Sequence, residues 1–270
     1  MPSRSERKVW RSLRRRKGRD ETGRFLAEGP RLLGELLATG NPVDVVLHET
    51  GDTTDSGLVE LLAEARERGL RVESVDRRVI EEIADTMTPQ PVLAIATMRR
   101  WTWDDVAGGP VVLLDGIQDP GNVGTLVRTA AALGAAGTVA LEGTADPWGP
   151  KAVRASAGAG LRRPVFRADA VSTLDELRRR RLQLWVAAAD GEPVARGDRA
   201  ETRVALALGS ETGGVSGTVA GGAVRRVAVE MSAGVESLNV AAAGAILLDR
   251  ILGGGGGSVE AEGATEGRGT

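Results

Sequence analysis

Apolar positions along this chain repeat with helical and strand periods in alternation, and the alternation forms two series. In the first, apolar residues at 32, 33, 36 and 37 share one helix face within "FLAEGPRLLGELLATG" (25–40), with Gly40 as a stop. "PVDVVLHE" (42–49) predicts a strand and "SGLVELLAEARERG" (56–69) an amphipathic helix. "LRVESV" (70–75) predicts a strand, "DRRVIEEIADTM" (76–87) a helix opened by Asp76, and "PVLAIATM" (91–98) a strand. This alternation predicts a small α/β unit over 25–98. Residues 1–20 are polar, basic and compatible with a helix.

The stretch 99–109 breaks the period and is read as a linker, with Trp101 and Trp103 available to dock it on one domain. A second series follows over 110–252. "VVLLDG" (111–116) is an apolar strand, and 121–133 is a helix with Val123, Leu126, Val127, Ala130 and Ala131 on one face. Further strands are predicted at 137–143, near 165, and at 183–188, 203–208 and 225–231. Helices are predicted near 150–158, at 172–181 and at 238–252. Strands of continuous apolar character point to a parallel sheet covered on both faces. Residues 253–270 are rich in Gly and acidic, and disorder is expected there.

Composition narrows the chemistry. The chain has 270 residues, enough for two domains. It lacks an apolar run long enough to span a membrane, and no apolar segment follows the basic start, so neither a span nor a secretory leader is expected. There is no Cys and a single His, His48, at a strand end. Disulfides, thiolate nucleophiles, multi-His metal sites and Ser-His relays are therefore poor candidates. The net charge of −2 conceals an asymmetry. Residues 1–31 carry eleven Lys/Arg against four acids, which favours a polyanionic partner. A solvated basic helix is the competing reading.

Polar residues sit just after strands at three places, where open α/β sheets bind ligands. These are "DGIQDPGNVGTLVR" (115–128), "ALGSETGGVS" (207–216) and "MSAGVESLNVAAAGAILL" (231–248). None is a P-loop or a dinucleotide fingerprint. Taken singly, Asn122 and Ser237 read as helix caps, Arg128 as a solvated helix residue and Glu211 as a turn residue. Asn239, one step inside the last helix, fits that reading less well.

Together the three segments resemble the motifs of the SpoU/TrmH family of RNA ribose 2′-O-methyltransferases, in the SPOUT class. The first carries Asn122 and Arg128, the second Glu211, and the third Ser237 and Asn239, in the family's order. The segment from "FLAEG" to "AIATM" also resembles the ribosomal-protein-like substrate-binding domain that often precedes this catalytic domain. The resemblance implies an α/β fold whose C-terminal domain carries a deep trefoil knot, and a homodimer acting in the cytoplasm without a metal. It implies S-adenosylmethionine held by Leu208, Gly209, Glu211, Gly213, Met231, Leu238 and Asn239. Arg128, Asn122, Ser237 and Asn239 would serve catalysis, with the position of Arg128 assigned as base alongside a substrate phosphate. A guanidinium with a solution pKa above about 12 acts more readily as a fixed cation. RNA, most naturally ribosomal RNA, would be gripped by Arg154 and by Arg14, Arg15, Arg16 and Lys17 of a basic arm over 1–24. Arg162, Arg163 and the 178–181 run are further candidates. A tRNA ribose methyltransferase, a knotted base methyltransferase and a non-catalytic RNA-binding or ribosome-assembly protein remain alternatives.

Overall fold

The computed structural model describes residues 1–51, 55–195, 203–232 and 237–252. The expected tail at 253–270 lies outside them. The first domain begins with α1 (Arg4–Ser12) and α2 (Arg16–Thr22), then β1 (Arg24–Glu28), α3 (Pro30–Thr39), β2 (Val43–Glu49), α4 (Ser56–Glu67), β3 (Val72–Val75), α5 (Arg77–Ile83) and β4 (Val92–Thr97). Its four strands run in the order β1-β4-β2-β3, antiparallel except for the β2–β3 pair.

The second domain contains β5 (Val111–Asp115), α6 (Pro120–Ala132), β6 (Gly137–Ala140), α7 (Pro150–Ser156), β7 (Val165–Arg167), α8 (Ala170–Arg179) and β8 (Gln183–Pro193). It closes with β9 (Val204–Gly209), α9 (Gly217–Gly221), β10 (Arg225–Ala228) and α10 (Val240–Leu252). Its six strands run in the order β10-β8-β9-β5-β6-β7, all parallel. The central strands are buried along their whole length, as their unbroken apolar character predicts. Helix α6 crosses α7 so closely that a Cβ on Gly124 would lie 2.3 Å from the Ala152 carbonyl oxygen. No helix among the described residues is long and apolar enough to cross a membrane.

Two sequence expectations change. The stretch 25–40 is not one helical segment: Phe25, Leu26 and Ala27 form a buried strand, and Gly29 (φ 100°) with Pro30 opens the helix. The basic arm is instead two packed helices. Trp10 and Leu13 enter the core formed by Leu26, Val45, Leu47, Ile80 and Ile83. Arg14 does not face outward; its guanidinium donates to the carbonyls of Glu81, Glu82 and Ile83 at the end of α5. That position satisfies orphan helix carbonyls and suits the helix dipole.

The two domains share one hydrophobic cluster, in which Trp148, Val153 and Leu161 join the first domain's core. Phe25 and Trp148 lie 5.0 Å apart, ring to ring. Ion pairs reinforce the contact at Glu28–Arg154 and Glu35–Arg162. The most buried is Arg19–Asp146 at 2.6 Å, with side chains only 4% and 8% exposed. Arg19 also donates to the carbonyls of Leu13 and Arg14, so its buried charge is fully engaged. The linker tryptophans both dock on the second domain: Trp101 donates to the Gly160 carbonyl, and Trp103 meets Phe166 edge-on. Removing one member of a buried ion pair strands the other, at a cost of about 3–5 kcal/mol. Urea unfolding of Arg19→Ala should show a loss of that size, whereas Arg19→Met combined with Asp146→Leu should lose distinctly less.

Candidate active site

At the first corner, β5 ends in Asp115 and the chain turns at Gly116 (φ 71°). Asp119 caps α6 by accepting the Asn122 backbone N–H, and Pro120 occupies the first helical position. Asn122 is therefore in the first turn, and the cap is Asp119. At the third corner, the Asn239 side-chain oxygen accepts the N–H groups of Ala241 and Ala242. Asn239 thus caps α10 from outside, rather than sitting within it, and Ser237 lies two residues before the cap.

The second corner folds back on itself. Ser210 and Gly214 exchange backbone hydrogen bonds, and a Cβ on Gly209 would fall 2.0 Å from the Gly214 carbonyl carbon. Only glycine permits that approach. The turn presents Glu211 toward α6. Asn122 Nδ2 donates to Glu211 Oε1 at 2.7 Å, and Asn239 Nδ2 donates to Asn122 Oδ1 at 3.2 Å. A continuous chain, Glu211–Asn122–Asn239, therefore ties the three corners together. Each amide is oriented by its neighbour, because a carboxylate accepts only. A second tie runs beneath it: buried Asp115 accepts the Ser216 backbone N–H at 2.6 Å.

Beside this chain lies a cavity of about 260 Å³. Leu208, Gly209, Glu211, Met231, Ser237 and Leu238 line it, six of the residues singled out in the sequence. Gly213 does not; its N–H donates to Ser210 Oγ and holds the turn. Asn122 and Asn239 do not line it either; they connect to it only through Glu211. The opposite wall went unread in the sequence. Strand β8 leaves register with β10 between Val186 and Glu192, and the displaced Ala187, Ala188 and Ala189 line the cavity. Gly191 brings the strand back, where a Cβ would stand 2.6 Å from Val227.

Arg128 projects from the exposed side of α6 and makes no hydrogen bond or ion pair with the described residues. It is a free cation six positions from Asn122, outside the amide chain. Arg154 is only partly exposed and pairs with Glu28 across the domain contact. Arg15, Arg16 and Lys17 are exposed, with Arg16 beside Asp20 and Lys17 beside Glu21. Sequence reasoning also missed Lys151, whose ammonium reaches from α7 to Asp119 at 2.7 Å. Its one signal was its type, one of three lysines among 35 basic residues.

The SpoU rRNA Methylase family matches residues 109–249, and the MRM3-like substrate binding domain matches residues 6–94. The chain is 31% identical over 247 residues to the 23S rRNA (guanosine(2553)-2'-O)-methyltransferase RlmP of Bacillus subtilis, covering 91% of this chain and 95% of that protein. It is 35% identical over 196 residues to a 23S rRNA (adenosine(1067)-2'-O)-methyltransferase of Streptomyces laurentii, covering 71% and 73% of the two. The SpoU methyltransferase AviRb from Streptomyces viridochromogenes, solved with the cofactor AdoMet, superposes with a TM-score of 0.82 at 25% identity. That superposition covers 92% of this chain and 97% of AviRb.

The Lys151 ammonium, followed by the Asn122 N–H, holds the Asp119 carboxyl below its ordinary value of 3.8. A carboxyl with a lowered folded pKa contributes stability above its unfolded pKa and loses it as pH falls through the folded value. The α6 cap should therefore persist below pH 3.8. A carbon-detected NMR titration should place the Asp119 midpoint below that value, and Lys151→Ala should move it upward.

Proposed function

The chain belongs to the SpoU rRNA methylase family, and from that premise we propose that it transfers a methyl group from S-adenosylmethionine to a ribose 2′-hydroxyl of ribosomal RNA. The observation that carries this reading is the Glu211–Asn122–Asn239 chain, which fixes three corners around one cavity. A ribosomal substrate is favoured by the match of residues 6–94 to a substrate binding domain and by relatives named for 23S rRNA. It implies action in the cytoplasm.

The cavity suits the cofactor. Its walls are largely aliphatic, as a nucleoside base requires, and polar groups gather at Gly209, Glu211 and Ser237. Leu208, Gly209, Met231 and Leu238 would hold the cofactor, with Gly213 and Asn239 supporting from behind. When bound, the cofactor supplies an electrophilic sulfonium methyl. The protein's task is to orient the hydroxyl in line with it and to help the proton leave. Asn122 offers its amide from a position fixed on both sides, and Ser237 stands at the cavity wall. Arg128, free and charged, anchors a phosphate of the target nucleotide. It stabilises the developing alkoxide while a phosphate oxygen takes the proton. This division keeps the guanidinium protonated, as its intrinsic basicity demands.

Two finer features belong to the same reading. The second domain carries a trefoil knot, a reading supported by β10 at the sheet's far edge and α10 packed back on α6 and β9. The active unit is a homodimer, whose second copy covers the exposed Leu238 and Ala242 near the cavity.

Removing a group that assists proton transfer typically costs a factor of about 10²–10⁴. Arg128→Ala should lose methyl transfer on that scale, while calorimetry finds cofactor affinity nearly unchanged. Labelled methyl should appear in nuclease-resistant dinucleotides of ribosomal RNA. Label recovered only in nuclease-sensitive mononucleotides would replace ribose with base methylation.

A further inference from the structure

Two clefts beside the active site meet at one residue. The first, about 520 Å³, opens at the carboxyl ends of β6 and β7 and is lined by Arg16, Glu142, Thr144 and Arg167, among others. The second, about 370 Å³, lies between the domains and is lined by Asp20, Arg99, Arg100, Trp101, Phe166 and Arg167. Arg167 borders both. One wall is continuous, because Arg16, Asp20 and Gly23 follow the i, i+4, i+7 spacing along and just beyond α2. At 1.5 Å per residue that wall extends roughly 10 Å. The clefts thus adjoin as one interrupted groove, walled by α2 on one side and by β7, the edge strand of the six-stranded sheet, on the other, with the Asp20–Arg167 ion pair joining the two walls between them.

The groove begins behind the first corner of the site. Thr144 in its wall accepts the Gly116 N–H and donates to the Leu114 carbonyl, at the first corner of the site. Its far end is basic and aromatic. Arg99 lies over the Trp101 ring at 5.3 Å, and Arg100 is exposed with no hydrogen bond or ion pair to the described residues. Three carboxylates line the groove. Asp20 is committed to Arg16 and Arg167, and Asp169 to capping α8. Glu142 has no partner among the described residues and offers an acceptor to the amino edge of a base. Arg100 without a partner among the described residues, Arg16 exposed and held only by Asp20, and the acceptor of Glu142 together fit a single strand of RNA.

We infer that this groove holds the single-stranded RNA segment flanking the methylated nucleotide, with Arg16 and Arg100 as phosphate contacts at its two ends. The inference rests on the methyltransferase reading above and adds the path of the substrate. It also gives the buried Arg19–Asp146 pair a purpose: the groove exists only while α2 is held against the second domain.

The test compares Arg16→Ala/Arg100→Ala with Arg4→Ala/Lys8→Ala/Arg11→Ala, which strips exposed cations from α1. Filter binding of unmethylated large-subunit ribosomal RNA, transcribed in vitro, is measured across a salt series, with methyl transfer followed in parallel. The groove variant should bind about tenfold more weakly, and its slope against salt should be shallower by about 1.4, two contacts at about 0.7 each for single strands. Its KM for RNA should rise while kcat and cofactor affinity hold. A larger loss in the α1 variant than in the groove variant, or an unchanged salt slope in the groove variant, overturns the inference. Absent methyl transfer by the wild-type protein would count against the methyltransferase reading alone, since RNA affinity still scores the groove.

Discussion

The amide of Asn122 gives its N–H to a carboxylate from one corner and its oxygen to an amide from another. The arrangement works because each group has one permitted role: Glu211 accepts, so Asn122 must turn its oxygen to Asn239, whose own oxygen is taken up capping α10. Rotating any one amide would set like groups against each other. Segments 89 and 117 residues distant from Asn122 are held in register this way. The tie between Asp115 and Ser216 fixes the same corners from below. The cavity combines this bracing at its edge with aliphatic walls.

The alternation of helices and strands was legible because most strands are short apolar runs between turn residues, and most helices have one apolar face. Strand β1 escaped because Phe25, Leu26 and Ala27 are all buried, which erases any period, and a helix follows after one glycine. The first 22 residues misled through charge. Their anchors are Trp10 and Leu13, two apolar residues among many cations. Nothing local distinguishes Arg14 and Arg19, which are structural, from Arg15 and Arg16, which are exposed. The partners that decide it lie 69 and 127 residues away.

Six of the residues singled out in the sequence line one cavity, while the local structural part each residue plays was not legible. Asn122 and Ser237 are residue types that cap helices, yet Asp119 and Asn239 do the capping. The wall formed by Ala187 to Ala189 was invisible, because a break in strand register leaves no mark in an apolar sequence. Arg128 stood out only through its resemblance to a motif. Among the described residues it has no hydrogen-bond or ion-pair partner.

The contact between the domains combines a shared aromatic and aliphatic core with cross-domain ion pairs at Arg19, Asp20, Glu28 and Glu35. Bending there would open apolar surface and strand a buried charge in the same motion. The two halves therefore behave as a single stiff jig. A partner docking across both halves meets two surfaces whose relative placement is already set by these contacts.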